Sequence, residues 1–250
     1  MGAVHGVHLK YVAMSVACGT GAWCMGDVVA PVGGVPPALL RCMLWYSMAV
    51  HLLIASLFIW RRGEWIIGKS PLTGQVPLWS LIVWAPFHAP TWLYTAVHTW
   101  IGKQNGVPVA NEVAPGWWIG GRYGSELGRK WAATIDLTVE FNEGCFGDST
   151  EYLLLPCWDG TPPAPDAIET AARLAARSSH RGDVMVHCAH GRGRSTCVMV
   201  ACLVRAGVHN SWRAAFDAVK LRRKGVKLNS KMKRALDEWE GRFGSRGLDE

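Results

Sequence analysis

Charge is what the first 110 residues of this 250-residue chain lack. They hold eight ionisable Asp, Glu, Lys or Arg side chains: Lys10, Asp27, Arg41, Arg61, Arg62, Glu64, Lys69 and Lys103. The other thirty-seven lie in residues 111–250. So abrupt a change excludes one uniformly solvated surface and predicts two environments, with a boundary near Gly102–Gly116. Acidic residues are missing from 220–234, where Lys220, Arg222, Arg223, Lys224, Lys227, Lys231, Lys233 and Arg234 gather. The eight cysteines are scattered, with Cys18, Cys24 and Cys42 in the apolar part, which argues against a disulfide framework. There is no basic start ahead of a compact apolar core and no clear small-residue cleavage site, which argues against a cleaved leader. Repeats and low-complexity tracts are absent as well.

The charge-poor part contains long apolar runs. Cys42–Trp60 is apolar apart from Ser47, His51 and Ser56, ends in Arg61-Arg62, and is close to the ~20 residues that cross a bilayer. Residues 11–35 are a weaker candidate, rich in Gly and Ala but interrupted by Asp27 and Pro31. Residues 76–101 are long enough, yet carry Pro77, Pro86 and Pro90 together with Trp79, Trp84, Trp92 and Trp100. They read as a broken or re-entrant interfacial segment in preference to a clean span. Lys10, Arg61, Arg62 and Lys69 flank the first two segments on one side, which the positive-inside bias makes cytoplasmic. The expectation is a membrane region at 1–110 and a second domain at 111–250.

The second domain carries the chemistry. Residues 187–195 read His-Cys-Ala-His-Gly-Arg-Gly-Arg-Ser. A short apolar run at 183–187 predicts a buried strand before them, and 195–206 predicts a helix after them. Strand, glycine-rich loop and helix N-terminus cradle an anion, because unpaired N–H groups converge there and the helix dipole favours negative charge. The same field lowers the pKa of a thiol at its entrance. Cys188 is therefore the expected nucleophile and Arg194 the planar fork for two phosphoryl oxygens. Ser195 is the expected donor to the departing sulfur, and His187 orients the loop. Ala189, His190, Gly191, Arg192 and Gly193 line the phosphate cradle together with Arg194. A metal at His187, Cys188 and His190 is the poorer alternative, since no second Cys/His cluster stands at ligand spacing. No cofactor is expected.

Hydrolysis also needs a general acid. Asp159 follows an apparent strand at 152–155 and sits in the Gly/Pro-rich stretch Pro156–Pro163, able to reach over a neighbouring cradle. Asp166 is the rival, better explained as a helix N-cap before 167–174, and Asp136, inside the apolar run 134–138, reads as structural.

Taken together, His187-Cys188, the five-residue loop, Arg194 and Ser195 resemble the signature of the dual-specificity protein tyrosine phosphatases. The Asp159-to-Cys188 spacing, the start at Gly116–Gly121 and the tail at Val226–Asn229 are similar to that family too. The resemblance covers about 111–250. It implies an α/β fold with a central mixed sheet flanked by helices, catalysis through phosphocysteine, and no metal. Gly193 stands where many protein-directed members have Ser, and Gly191–Ser195 resembles the form of phosphoinositide-directed relatives; Ala189 stands where those place Lys. The substrate is thus expected to be a phosphoprotein or a phosphoinositide or other phospholipid headgroup. His190, Arg192 and the basic run tilt slightly to lipid. The run itself is read as a solvated edge or an attraction to an anionic membrane, with nucleic acid third and not expected as a partner. A reduced Cys188 favours a cytoplasmic domain. The alternative from a different class is a non-catalytic phosphate-binding module tethered to a membrane.

Overall fold

The computed structural model describes residues 6–25 and 34–244. Helices α1 (Val7–Cys24) and α2 (Pro37–Trp60) form an antiparallel hairpin. The Tyr11 ring lies 5.2 Å from that of Phe58, Ser15 Oγ donates to Met48 O at 3.0 Å, and Gly19 faces Met48 and Trp45. A Cβ on Gly19 would come within 2.8 Å of Met48 Sδ, so the small residue sets the approach of the two helices. α1 ends eleven residues before the expected limit of its apolar segment at 35; Asp27 and Pro31 lie outside the described residues. α2 starts five residues earlier than expected, because Pro37 suits the first helical position. Among the described residues, α2 is the one helix long and apolar enough to cross a membrane, with a mean hydropathy of 1.9 over 18 residues.

The third apolar segment is two helices, α3 (Leu78–Val83) and α4 (Ala85–Gln104), broken at Trp84. Its tryptophans divide. Trp84 Nε1 donates to Ile66 O and Trp92 Nε1 to Glu140 O, while Trp79 and Trp100 are more than half exposed.

A five-stranded mixed sheet follows. It comprises β1 (Ala110–Ala114), β2 (Trp117–Gly120), β3 (Trp131–Asp136), β4 (Ser149–Leu154) and β5 (Val184–His187), in the order β1-β2-β5-β3-β4. β1 is antiparallel to β2 and the other pairings are parallel. Strands β3 and β5 are buried at every position, as a parallel sheet covered on both faces requires. Helices α5 (Pro165–Ser179), α6 (Arg194–Arg205), α7 (Trp212–Arg222) and α8 (Ser230–Phe243) supply one side of the core, where Ile135, Val186, Val198, Leu203, Leu236 and Trp239 meet. Trp131, Met185, Ala110 and Cys145 pack in a separate cluster.

The helical region is not held at a distance from the sheet. Tyr11, Ile54, Phe58, Ile67 and Phe87 share a buried cluster with Val139 and Trp158. Trp158, fully buried, packs 4.7 Å from Phe58, and its Nε1 donates to Arg62 O at 2.9 Å. Burying one large apolar side chain stabilises by about 1.5–3 kcal/mol, so this seam is a substantial contact. Lys69 crosses it too and donates to Asp136 and to Thr138 Oγ1.

Candidate active site

The loop between β5 and α6 begins at Cys188 and closes at Arg194, the first residue of α6. Its turn requires glycine. Gly191 has φ +67°, and a Cβ there would lie 2.4 Å from the Gly120 carbonyl carbon. From beneath, Arg223 donates to Gly191 O at 2.8 Å, to His190 O at 3.0 Å and to Asn111 at 2.6 Å. Arg223 is thus a buried brace of the loop and not one of the exposed cations of the basic run, to which the sequence assigned it. Lys227 N donates to Arg192 O at 2.8 Å and ties down the loop's far side.

Cys188 is 3 % exposed, and its Sγ lies 3.4 Å from Ser195 Oγ. Burial works against a thiolate here. The Arg194 guanidinium, the Ser195 hydroxyl and the backbone N–H groups of Ser195 and Arg192 outweigh it and hold the thiol below its ordinary pKa. Arg194 is itself buried. Its Nη1 donates to Leu137 O, to Cys157 O and to Glu140 Oε2, and its Nη2 to Glu140 Oε1 at 2.8 Å. Its Nε has no partner among the described residues. The guanidinium is therefore fixed in orientation while one buried donor is left for an incoming acceptor. Burial opposes ionisation of Glu140, and the Arg194 charge overrides it, keeping this carboxylate below its usual pKa.

Behind the loop lies a compact charge network. His187 Nε2 sits 2.5 Å from Glu143 and 3.7 Å from Asp136. Burial alone would neutralise the imidazole, but the Glu143 and then the Asp136 carboxylate raise its pKa to about 9. Asp136 also accepts from Thr138 N, Thr138 Oγ1, Tyr152 Oη and Lys69. Although desolvation opposes its charge, Lys69 and His187 hold its pKa well below the carboxylate range. The possible ligand atoms of Asp136, Glu143 and His187 lie within 4.8 Å of one another, spacing that would suit a metal. With the Lys69 ammonium and an imidazolium facing two carboxylates, the cluster is already balanced, and a divalent cation would add unpaired charge.

Asp159 stands in the loop after β4, with Gly160 at φ +77° and Thr161 closing on Trp158 O. Gly160 O accepts from Asn229 Nδ2 at 2.8 Å, linking the loop to α8. Asp159 Oδ1 is 3.5 Å from Arg194, and its side chain is 41 % exposed. Asp166 lies elsewhere, in the first turn of α5, paired with Arg242 at 2.6 Å. The cap of that helix is Ala164 and not Asp166, since Pro165 starts the helix.

Cys188, Gly193, Arg192, His190 and Asp159 open onto one cavity of about 380 Å³. The charged-domain residues make only part of its wall. Val7, Lys10, Tyr11 and Met14 of α1 and Pro90, Thr91 and Tyr94 of α4 complete it. His190 is turned to His98 and Tyr94, with ring centroids 4.8 Å and 5.9 Å away. Burial, then the neighbouring His98, Arg192 and Arg194 charges, lower its pKa to about 3, so it adds no positive charge at neutral pH. That corrects its count among the basic groups. Of the exposed cations counted for orientation, Lys69 also drops out, being 9 % exposed and paired.

Glu140, Glu143, Lys69, Arg223 and Lys10 were not singled out from sequence as site residues. Glu140 and Glu143 had a usable signal: two carboxylates just beyond an apolar strand that ends beside the strand leading to Cys188. Lys10 and Lys69 had none, because they belong to the region set apart by composition.

Residues 137–242 match the family model described as dual specificity phosphatase, catalytic domain. No curated protein matches the chain. Among solved structures it is similar to Tk-PTP in its active form (25 % identity, 54 % of this chain and 99 % of that one, TM-score 0.49). It is also similar to human DUSP28 (22 %, 54 % and 95 %, 0.45) and to PTPMT1 in complex with PI(5)P (18 %, 56 % and 99 %, 0.47).

Proposed function

We propose that this chain, which carries the catalytic domain of a dual specificity phosphatase, is held in a membrane by α1 and α2 and hydrolyses a phosphate monoester through phosphocysteine. Cys188 attacks phosphorus as the thiolate. Arg194 and the loop N–H groups take the charge of the equatorial oxygens, with the unpaired Arg194 Nε as one of the donors. Asp159 protonates the leaving oxygen and then, as carboxylate, activates water for hydrolysis of the Cys188–phosphate bond. Ser195, 3.4 Å from the sulfur, stabilises it as it departs. His187 keeps the loop in register and its charge favours the thiolate. Glu140 holds the guanidinium in place.

The observation that carries this reading is the convergence of Cys188 and Asp159 on one cavity, with a buried Arg194 within 3.5 Å of the acid. A binding module would need the cradle but not an acid above it. The membrane reading rests on α2, 24 residues and about 36 Å long, against a hydrocarbon core of ~30 Å. Only 28 % of its most apolar window is buried within the protein. Leu39, Met43, Trp45, Leu52 and Ile59 on α2 and Val16 and Trp23 on α1 are exposed. Both ends of the hairpin near Lys10 and Arg61 adjoin the catalytic domain, which supports a single side for all three, the cytoplasmic one.

The test uses the full chain. Wild type should resist extraction by salt and by alkaline carbonate and, once solubilised in detergent, release phosphate from an aryl phosphate. Cys188→Ser should lose at least about a thousandfold in rate while keeping affinity for the substrate. A Cys188→Ser protein with a substantial share of the wild-type rate would exclude phosphocysteine, and a chain washed off by salt would exclude the anchor.

A further inference from the structure

We infer that Lys10, carried over the catalytic cavity by α1, binds a second anionic group of the substrate, and that the substrate is a phospholipid bearing both a phosphomonoester and a phosphodiester. The inference rests on the phosphatase reading and deepens it.

One phosphate is already served by the loop. Arg194, the backbone N–H groups of Arg192 and Ser195 and the α6 N-terminus lie beside Cys188. Two further cations nevertheless face the same cavity, Lys10 and Arg192. Neither makes an ion pair among the described residues; Asp159, the one carboxylate lining the cavity, and Glu140 act on Lys10 only from a distance, and both are engaged by Arg194. Lys10 Nζ is held by rings, 4.7 Å from the Tyr11 centroid and 5.9 Å from that of Tyr94. Such contacts fix an ammonium without neutralising it. Two cations without an ion-pair partner of their own, facing one cavity, suit an anion beyond the one being cleaved.

The walls identify what carries that anion. Besides Lys10, α1 and α4 contribute Val7, Met14, Pro90 and Tyr94, and Tyr11 and Thr91 whose hydroxyls bond each other at 3.3 Å. Leu9 on the same helix α1 and Leu93 and Val97 on α4 are apolar and exposed. An acyl chain leaving the cavity between these helices would find apolar side chains on both of them. A peptide would bring backbone N–H and C=O groups into a gap that offers them few partners. The hairpin that supplies Lys10 is also the one that carries the exposed apolar helices, so the cavity opens at the level where lipid headgroups would lie.

The full chain in detergent micelles is assayed on five substrates: an aryl phosphate, phosphatidic acid, phosphatidylinositol monophosphate, its deacylated headgroup and a phosphotyrosine peptide. Wild type should turn over phosphatidylinositol monophosphate with a kcat/KM at least about tenfold above its deacylated headgroup and above the peptide. Lys10→Ala should raise KM for the two substrates that carry a diester by about tenfold more than for phosphatidic acid or the aryl phosphate. Lys10→Arg should recover most of that difference. Equal losses on all substrates would reduce Lys10 to a structural role and overturn the inference, as would no loss on any. A peptide preferred over the lipid would overturn it too. If wild type cleaves none of the five, the phosphatase reading itself fails; if it cleaves the aryl phosphate and not the lipids, only this inference does.

Discussion

Replacing Lys69 by methionine tests whether the helical region and the catalytic domain are one folding unit. Lys69 and Asp136 are 2 % and 0 % exposed at their side chains, so water contributes almost nothing to either charge. Methionine keeps the volume and removes the ammonium. Breaking a buried pair by removing one partner costs about 3–5 kcal/mol, because the remaining charge is left desolvated. Asp136 would still accept from Thr138 N at 2.8 Å, Thr138 Oγ1 at 2.8 Å and Tyr152 Oη at 3.0 Å, and would still face His187 at 3.7 Å. That residual support places the loss at the lower end, about 3 kcal/mol. For a chain of this size it corresponds to a fall in Tm of about 6–12 °C. The measurement is thermal unfolding of the detergent-solubilised full chain by circular dichroism, at one scan rate. Lys69→Met combined with Asp136→Asn should be more stable than Lys69→Met alone, since the orphaned carboxylate is gone; the coupling should exceed about 1 kcal/mol. A single variant within about 1 kcal/mol of wild type, or a double variant whose loss equals the sum of the singles, would refute the reasoning. In either case Lys69 would be a cation in solvent, as the charge pattern of the sequence suggested.

Three further outcomes follow from the site. Asp159→Asn should slow an alkyl or inositol phosphate by about 10²–10⁴-fold and an aryl phosphate less, because only the poor leaving group needs the proton; the same profile from Asp166→Asn, which pairs with Arg242, would move the acid. Glu140→Gln keeps the shape but halves the clamp on Arg194, and should lower kcat about tenfold or more with a smaller effect on Tm; a change in KM alone would assign Glu140 to binding. The raised pKa of His187 fixes a sign: its stabilisation is complete below the unfolded value near 6.5 and is lost as pH rises through about 9. Tm should therefore fall between pH 7 and pH 10 by the equivalent of a few kcal/mol, and His187→Gln should flatten that limb; a flat wild-type profile would mean that the imidazole is neutral throughout.

The loop from Cys188 to Arg194 is legible because its chemistry is contiguous. Cysteine, glycines, arginine and hydroxyl lie within eight positions, and the strand before and helix after are apolar enough to predict. The sheet strands read equally well at 184–187, where burial at every position enforces an apolar run, and at 152–154, where the half-buried edge strand is apolar as well. Partners that arrive from afar do not read. Glu140 reaches Arg194 across 54 positions, and Arg223 reaches Asn111 across 112. Composition misleads where burial reverses it: His190 counts as basic in a sequence and is neutral here, Arg223 counts as surface charge and is a brace, and Lys69 counts toward orientation and is an internal counter-ion. In each case the side chain's charge was readable and its solvent was not.

The same reversal applies to the helical region as a whole. Scarcity of charge marks residues 1–110 as an environment apart, which invites the idea of an inert tether. Four of the groups it contains contradict inertness by position. Lys69 neutralises the acid behind the catalytic loop, Trp92 donates to the carbonyl of Glu140, and Tyr94 and Lys10 stand at the cavity mouth. An anchor whose only task was attachment would gain nothing from these contacts, and a flexible linker would serve it better. α1 and α4 instead complete the wall of the cavity above the loop. That arrangement is useful when the substrate is itself in the membrane. On the proposed membrane reading, replacing α1 by an unrelated apolar helix should keep the protein at the bilayer through α2 and lose turnover of the lipid, even with every residue from 111 onward unchanged. A graft retaining full turnover on phosphatidylinositol monophosphate would show that attachment alone was enough.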